Sequence, residues 1–438
     1  MIDTSVFQKK RVKFYTLGCK LNFSESSAIG TTLKDAGFLN AAKGEQADLV
    51  VINTCSVTEL ADKKCRNAIR SEIRKNPGAY VVVTGCYAQL KPEEIADIEG
   101  VDLILGSNEK FRMLDFIDHM EKESRAEVHV SKLKDIEAFY PSYSGSDRTR
   151  CFLKIQDGCD YYCSYCTIPF ARGRSRSGSV AETIKTAEEA IRDGAREIIL
   201  TGVNIGDFGK GSEESFYDFL VALDSIDADV RFRIGSVEPN LLTDEIIDLV
   251  AGSKHIAPHF HIPLQSGSDE VLKLMRRKYD TTLFKNRVET IKHKLPDAFI
   301  GVDVIVGVNG ESKQQFEEAY SFISDLDVSQ LHVFTYSERE GTQALKIDHR
   351  VPAGEKKVRS QRLLMLSDKK TRAFYESQSG KVRPVLFESQ NNGGMMFGFT
   401  DNYIKVSYAY TPEMINKITH VKLTGMEHQF ETMTCKMI

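Results

Sequence analysis

The sequence contains no run approaching the roughly 20 consecutive apolar residues that cross a bilayer. Its opening residues, Met1 to Tyr15, are polar and basic and lack the apolar centre of a secretory signal. Membrane insertion and export are therefore not expected, and a cytoplasmic location is. A surplus of charge of one sign is also missing, since the formal net charge is −4 over 438 residues. That excludes a polycation coating nucleic acid indiscriminately, while leaving room for a local basic face. Cysteine is sparse and odd in number, at nine. In a reducing compartment such cysteines are metal ligands, nucleophiles or buried thiols rather than a disulfide framework. What is present, 41% hydrophobic and 27% charged residues, is ordinary for a globular protein, and the length calls for two or three domains.

Three segments follow one another. Residues 11–122 alternate short apolar runs (Val12–Leu17, Asp48–Asn53, Tyr80–Thr84, Val101–Leu105) with helical patterns such as Ser24–Ala36 and Ala61–Lys75. This is the pattern of a doubly wound parallel sheet. Residues 123–150 are polar, with Pro141, Ser142, Ser144 and Gly145, and read as a linker. Residues 151–372 repeat the alternation, with strands expected at Phe152–Gln156, Glu197–Thr201, Arg231–Ile234, His259–Leu264, Ile300–Val306 and Leu331–Tyr336. Six such units suit a partial (β/α)6 barrel, with its chemistry at the C-terminal strand ends. Residues 373–438 hold five short strand-like runs, Val382–Phe387, Gly394–Phe399, Tyr403–Tyr408, His420–Thr424 and Phe430–Cys435, with Gly and Asn turns between them. A small antiparallel β-barrel is expected, a type often used to bind oligonucleotides.

The densest chemical signal is Cys159-Asp-Tyr-Tyr-Cys163-Ser-Tyr-Cys166, directly after the first strand of the central segment. Three thiolates so close can ligate three irons of a cubane, leaving the fourth iron open because no further cysteine is near. Structural zinc normally closes its site with four ligands, and none follows here at finger spacing. A second set is spread out: Cys19, Cys55 and Cys86 each come just after an expected strand. In a parallel sheet those strand ends share one edge, so three thiolates can converge there. Cys65, Cys151 and Cys435 do not repeat that placement and read as structural thiols.

The C-x3-C-x2-C run with aromatic Tyr165 before its last cysteine resembles the radical S-adenosylmethionine superfamily. Thr16-Leu-Gly-Cys19-Lys-Leu-Asn22, Asn53-Thr-Cys55-Ser-Val57 and His261-Ile-Pro-Leu-Gln-Ser-Gly267 extend the resemblance to its methylthiotransferase branch over nearly the whole chain. The resemblance implies an N-terminal domain holding a second cluster on Cys19, Cys55 and Cys86, a central radical domain, and a C-terminal TRAM domain. It also implies two [4Fe–4S] clusters, and S-adenosylmethionine chelated at the open iron of the Cys159, Cys163, Cys166 cluster with Tyr165 against its adenine. Cys19-Lys20-Leu21-Asn22, His332-Val-Phe-Thr-Tyr-Ser-Glu-Arg339 and Gly398–Lys405 resemble enzymes acting on N6-threonylcarbamoyladenosine of tRNA. Methylthiolation of C2 of that base is then expected, with two S-adenosylmethionine molecules, a low-potential electron donor and a sulfur source. The alternatives are isopentenyladenosine tRNA, a ribosomal protein, or a non-catalytic iron–sulfur RNA-binding protein. Gly307-Val-Asn-Gly-Glu311 and Thr335 depart from the family pattern, which commonly has Phe-Pro between those glycines and Pro in place of the threonine.

Further candidates lie at strand ends. Gly202 and Asn204 suit the methionine end of the cofactor, although an ordinary turn reads the same way, and Glu238, Gln265, Ser266 and Glu311 suit further cofactor contacts. His259 and His261 alternate with apolar residues and have no ligand partners at metal spacing. Arg172, Arg174 and Arg176 follow the cysteine run and suit phosphates or the threonyl carboxylate of the substrate. Gly206–Gly211 is glycine-rich without the ending of a phosphate loop. Eleven Lys or Arg between Lys346 and Arg383 offer a grip for tRNA or a plain solvated face.

Overall fold

A computed structural model describes residues 7–117, 120–122, 124–145, 149–427 and 431–438. The readings above that fall on Met1 to Val6, Glu123 and Phe430 lie outside these described residues. No helix among them is long and apolar enough to cross a membrane.

In the N-terminal lobe, β1 (Arg11–Thr16), β2 (Leu39–Asn40), β3 (Leu49–Thr54), β4 (Tyr80–Gly85), β5 (Leu103–Leu105) and β6 (Glu127–His129) form one parallel sheet in the order β2-β1-β3-β4-β5-β6. Helices α1 (Lys20–Asp35), α2 (Glu59–Lys75), α3 (Cys86–Leu90) and α4 (Pro92–Ala96) connect its strands. β3 and β4 are buried along their whole length, so their runs are almost wholly apolar. Their residues alternate between two cores: Leu49, Val51 and Val82 face α1, while Val50, Ile52, Val81 and Val83 face Cys65 and Ile69 of α2.

The polar segment read as a linker contributes to both neighbouring sheets. β6 closes one edge of the N-terminal sheet, and β7 (Ser142–Tyr143) runs antiparallel to the first strand of the next lobe. In that lobe β8 (Arg150–Lys154), the short β9 (Gln156–Asp157) and β10 (Arg176–Ser177), then β11 (Glu197–Thr201), β12 (Arg231–Arg233), β13 (His259–Gln265), β14 (Phe299–Val306) and β15 (Gln330–Thr335) follow in order. Between them lie α5 (Ile168–Arg172), α6 (Val180–Arg192), α7 (Phe216–Asp224), α8 (Asp244–Gly252), α9 (Asp269–Leu274), α10 (Thr281–Lys294) and α11 (Lys313–Asp325). The expected strands coincide with β8 and β11 to β15, which pair in parallel as β12-β11-β8 and β13-β14-β15. A bridge from Ser236 to His261 links the two groups, so the lobe is an open six-stranded barrel. Ser179, Ser215 and Ser312 cap α6, α7 and α11 with reciprocal side-chain bonds, which sets where each crossover begins.

A long helix, α12 (Ala353–Ser377), leads to a closed barrel of β16 (Val382–Phe387), β17 (Met395–Thr400), β18 (Lys405–Ala409), β19 (Ile418–Glu427) and β20 (Thr432–Met437). The expectation of a purely antiparallel barrel needs one change, because β18 and β20 are parallel. A closed ring with an odd number of strands cannot alternate direction throughout.

This barrel seats on the N-terminal ends of the central strands. Arg231 donates to the carbonyls of Pro384 and Phe399, and Arg233 to those of Asp401 and Thr400. Both guanidiniums also hold the fully buried carboxylate of Glu197. His259 stacks on Phe299 and lies tilted against Tyr403 of the C-terminal barrel.

Replacing Glu197 by Ala leaves two buried guanidiniums without a counter-ion, and unfolding free energy is expected to fall by about 3–5 kcal/mol in urea titration. A change below about 1 kcal/mol would contradict the assignment. The interaction also sets a pH dependence. Burial alone would raise the pKa of Glu197, but Arg231 and Arg233 outweigh it and bring it to about 2. Its stabilisation is therefore complete above about pH 4.5 and is lost as pH falls toward 2, which acid titration of wild type against Glu197→Gln measures.

Candidate active site

The loop from Cys159 to Cys166 leaves β9 at Gly158. There φ is +71°, and a Cβ would lie 1.9 Å from the carbonyl oxygen of Arg174, so the turn admits only glycine. The loop is held by Cys159 N–H on Gly173 O and Cys166 N–H on Cys163 O, each at 3.1 Å. All three sulfurs face donors. The N–H groups of Tyr161 and Ile168 lie 3.4 Å from Cys159 Sγ and Cys166 Sγ, and Arg277 Nη1 lies 3.0 Å from Cys163 Sγ. Such donors favour thiolate, the ligating form. As free thiols, Cys159 and Cys166 are pushed by burial up to about 12. Tyr165 packs against the cluster of Val271, Met275, Val308, Tyr336 and Ala344.

The neighbouring strand ends supply polar groups of two kinds. Gln156 Oε1 accepts from the N–H groups of Val203 and Asn204, fastening the Gly202–Asn204 turn. The Asn204 side chain is buried, yet neither its nitrogen nor its oxygen has a hydrogen-bond partner, and Gln265 Oε1 shares that state. Buried polar atoms are rarely left unpaired unless a ligand completes them. These residues therefore fit a cofactor with its own donors and acceptors, such as the amino and carboxylate groups of S-adenosylmethionine. Gln265 also holds φ at +66°, a strained conformation for its side chain. Glu238 is paired with Arg277, so it acts on the cysteine loop through that residue. Glu311, expected at the cofactor, is engaged by its own turn and by α12. Its carboxylate accepts from Gly307 N–H at 2.6 Å and pairs with Arg359 at 2.7 Å, bracing the Gly307–Glu311 turn.

The second trio assembles at one edge of the N-terminal sheet. Cys19 is the residue before α1, Cys55 follows β3, and Cys86 opens α3. The position a Cβ would take on Gly18 lies 3.2 Å from Cys55 Sγ, which shows how closely the first two loops meet. Asn22 ties them by donating to the carbonyls of Leu17 and Thr54. Burial, then the adjacent Cys86 and Cys19, push the Cys55 thiol up to about 12. Cys65, read as structural, lies under this trio, with its thiol bonded to Cys55 O at 3.3 Å. Among the described residues, neither trio brings its ligand atoms within 4.8 Å of one another, as one ion would require. A cubane places a separate iron under each thiolate and so suits the wider spacing.

The group that does meet that limit is His261, Asp303 and His332, on three adjacent strands. His261 was read as lacking ligand partners, and this is corrected: parallel pairing brings Asp303 within 2.8 Å of its ring. Spacing along the chain cannot reveal partners on neighbouring strands.

The three arginines after the cysteine run part company. Arg172 is not on a rim. It is buried and bonded to Glu25, Asp157 and Asn22. Arg176 likewise turns inward onto Asp157 and the carbonyls of Ala138, Arg172 and Arg174. Only Arg174 of the three is exposed. The basic stretch is also partly engaged: Arg359 holds Glu311, Arg362 holds Glu317, and Lys381 and Arg383 hold Asp297. Arg277, which no local motif marked, is the functional residue the sequence reading missed.

The fold and the three-cysteine loop at a strand end define a radical S-adenosylmethionine enzyme. Residues 153–323 match the family described as the Radical SAM superfamily, and residues 11–106 match the Uncharacterized protein family UPF0004. The chain is 41% identical over 424 residues to threonylcarbamoyladenosine tRNA methylthiotransferase MtaB of Bacillus subtilis, covering 94% of this chain and 93% of that one. It is 34% identical to the enzyme of that name from Aquifex aeolicus, over 90% of this chain and 96% of the relative. It is 31% identical to tRNA-2-methylthio-N(6)-dimethylallyladenosine synthase of Clostridium tetani, over 95% and 94% of the two chains. Among solved structures, the radical S-adenosylmethionine methyltransferase TsrM of Kitasatospora setae shares the fold, with a TM-score of 0.56 at 13% identity over 89% of this chain and 77% of that one. The chain belongs to the radical S-adenosylmethionine methylthiotransferase family, in the branch whose members are named threonylcarbamoyladenosine tRNA methylthiotransferase.

The unpaired Asn204 amide makes a specific demand. Asn204→Ala is expected to weaken S-adenosylmethionine binding about tenfold, with iron content unchanged, in equilibrium dialysis of the reconstituted protein. Unchanged affinity would assign Asn204 to the turn alone.

Proposed function

We propose that this enzyme methylthiolates C2 of N6-threonylcarbamoyladenosine next to the anticodon of tRNA, using two [4Fe–4S] clusters and two S-adenosylmethionine molecules. The observation that carries the two-cluster reading is a charge imbalance between the lobes. Lys110, Lys154, Arg172 and Arg176 converge on only two carboxylates, Glu25 and Asp157, in a region shut off from water. Arg172 and Lys110 also act electrostatically on Cys86. Buried charge without compensation is costly, and a cluster held by three thiolates carries the missing negative charge. The names of the relatives support both the nucleoside and tRNA as its carrier.

In this reading Cys159, Cys163 and Cys166 hold one cluster, and Cys19, Cys55 and Cys86 the other. Once bound, the clusters and S-adenosylmethionine supply a 5′-deoxyadenosyl radical and a methylated sulfur. The radical route suits the target, because an aromatic C–H carbon resists polar substitution. The chain's own work is placement. Arg277 keeps a donor on Cys163 and is itself oriented by Glu238, while Tyr165, Gly202, Asn204 and Gln265 shape the cofactor pocket. Packing of the N-terminal lobe against the barrel keeps water from the radical. The domains divide as 11–122 for the second cluster, 151–372 for the radical chemistry and 373–438 for the TRAM barrel. The TRAM barrel and Arg174 contact RNA, and the base leaves its stack to reach the site. An electron donor and a sulfur source act from outside the chain, in the cytoplasm.

The test supplies reconstituted enzyme with tRNAs carrying adenosine, N6-threonylcarbamoyladenosine or isopentenyladenosine, followed by nucleoside mass spectrometry. A methylthio group is expected on the threonylcarbamoyl nucleoside alone. Transfer only to isopentenyladenosine, or to none of the three tRNAs, would overturn the assignment.

A further inference from the structure

Strands β13, β14 and β15 turn one face to the surrounding helices and the other to the lumen of the open barrel. Ile262, Ile300, Val302, Val304 and Leu331 belong to the buried core beneath the helices. Alternation therefore turns His261, Gly301, Asp303 and His332 to the opposite face, into the lumen. Parallel pairing sets His261 beside Gly301 and Asp303 beside His332. A Cβ on Gly301 would lie 3.5 Å from His332 Nε2 and 3.9 Å from His261 Cδ2, so the two imidazoles close over a position that carries no side chain. Their ring centroids are 5.1 Å apart.

The three side chains form a compact set of donors without sulfur, on strands that carry neither cysteine trio. One ligand atom from each lies within 4.8 Å of the other two. His261 Nε2 and Asp303 Oδ1 are 2.8 Å apart, close to the roughly 3 Å between neighbouring ligands when each lies about 2.0–2.2 Å from a shared ion. Among the described residues, the ring of His332 makes no hydrogen bond, and Asp303 has no partner besides His261. Donor atoms therefore remain free. The His261 and Asp303 side chains are 25% and 20% exposed, so an ion can reach them from the lumen. Burial, and then His261, lower the pKa of His332, which keeps its imidazole in the neutral form that binds metal. Structural zinc closes its site with four ligands, whereas two imidazoles and one carboxylate leave positions open, the pattern of mononuclear iron(II) sites.

We propose that His261, Asp303 and His332 form a mononuclear site for a divalent first-row transition ion, separate from both cysteine trios. The ion takes the place of the proton that His261 shares with Asp303, and its open positions face the lumen. The competing account is a hydrogen bond that only braces β13 against β14. The site does not depend on which nucleoside the enzyme modifies.

The experiment titrates Mn2+ into cluster-reconstituted protein cleared of loose metal by a chelating resin, and follows the free ion by electron paramagnetic resonance. Mn2+ prefers oxygen and nitrogen donors to thiolates, so the cysteine trios do not compete for it. Wild type is expected to bind one ion per chain. In His332→Ala and Asp303→Asn the affinity should fall at least about tenfold, a loss that even the outer partners of a metal ligand can produce. Iron and acid-labile sulfide should stay at their wild-type values. Wild type that takes up no stoichiometric Mn2+ would overturn the proposal, whatever the variants do. Equal binding by wild type and both variants would overturn it too, as an adventitious site on surface carboxylates. If a variant loses iron along with Mn2+, the ion bound to wild type decides the matter by its electron spin echo modulation. Coupling to imidazole nitrogen supports the site, and its absence rejects it.

Discussion

Glu25 is the charge on which the geometry of the site depends. It sits on α1, nearly two turns beyond Cys19, and is wholly buried between Lys110 of its own lobe and Lys154 and Arg172 of the central one. Burial by itself would raise its pKa, but Arg172, Lys110 and Lys154 outweigh that and hold it well below the usual carboxylate range. Arg172 ends α5, which begins two residues after Cys166, and it also bonds Asn22, the residue that ties the Cys19 and Cys55 loops. A short path of charge-assisted bonds therefore runs from one cysteine trio to the other. Such contacts are directional, and inside a dry interface they fix register as well as contribute energy.

The same logic recurs at the far end of the barrel, where Glu197 organises Arg231 and Arg233 and these grip the carbonyls of the C-terminal lobe. Both joints use one buried carboxylate to collect cations from separate elements. Hydrophobic packing holds each lobe together, but apolar contact is not directional. The ion pairs set how the lobes face one another.

Much of the fold was legible in the sequence because it depends on local pattern. β8 and β11 to β15 follow the expected apolar runs, and Cys19, Cys55 and Cys86 each follow a strand, as does the loop that carries Cys159, Cys163 and Cys166. Short pairings were not legible. Glu127–His129 and Ser142–Tyr143 are polar and brief, and they become strands only because a sheet edge is there to receive them. Side-chain destinations were the least legible. Arg172 and Arg174 are two residues apart, yet one is buried and the other exposed. Glu25 has the sequence setting of a solvated helix face. Its partners lie 85 or more positions away, and only the packed lobes reveal them.

In the function proposed above, one chain mounts two clusters, one on each side of the Glu25 seam. Iron and acid-labile sulfide per chain, measured after anaerobic reconstitution, test it directly in wild type and in a variant with Cys159, Cys163 and Cys166 changed to Ala. About eight irons per chain falling to about four are expected. About four falling to none would contradict it, leaving Cys19, Cys55 and Cys86 as ordinary thiols.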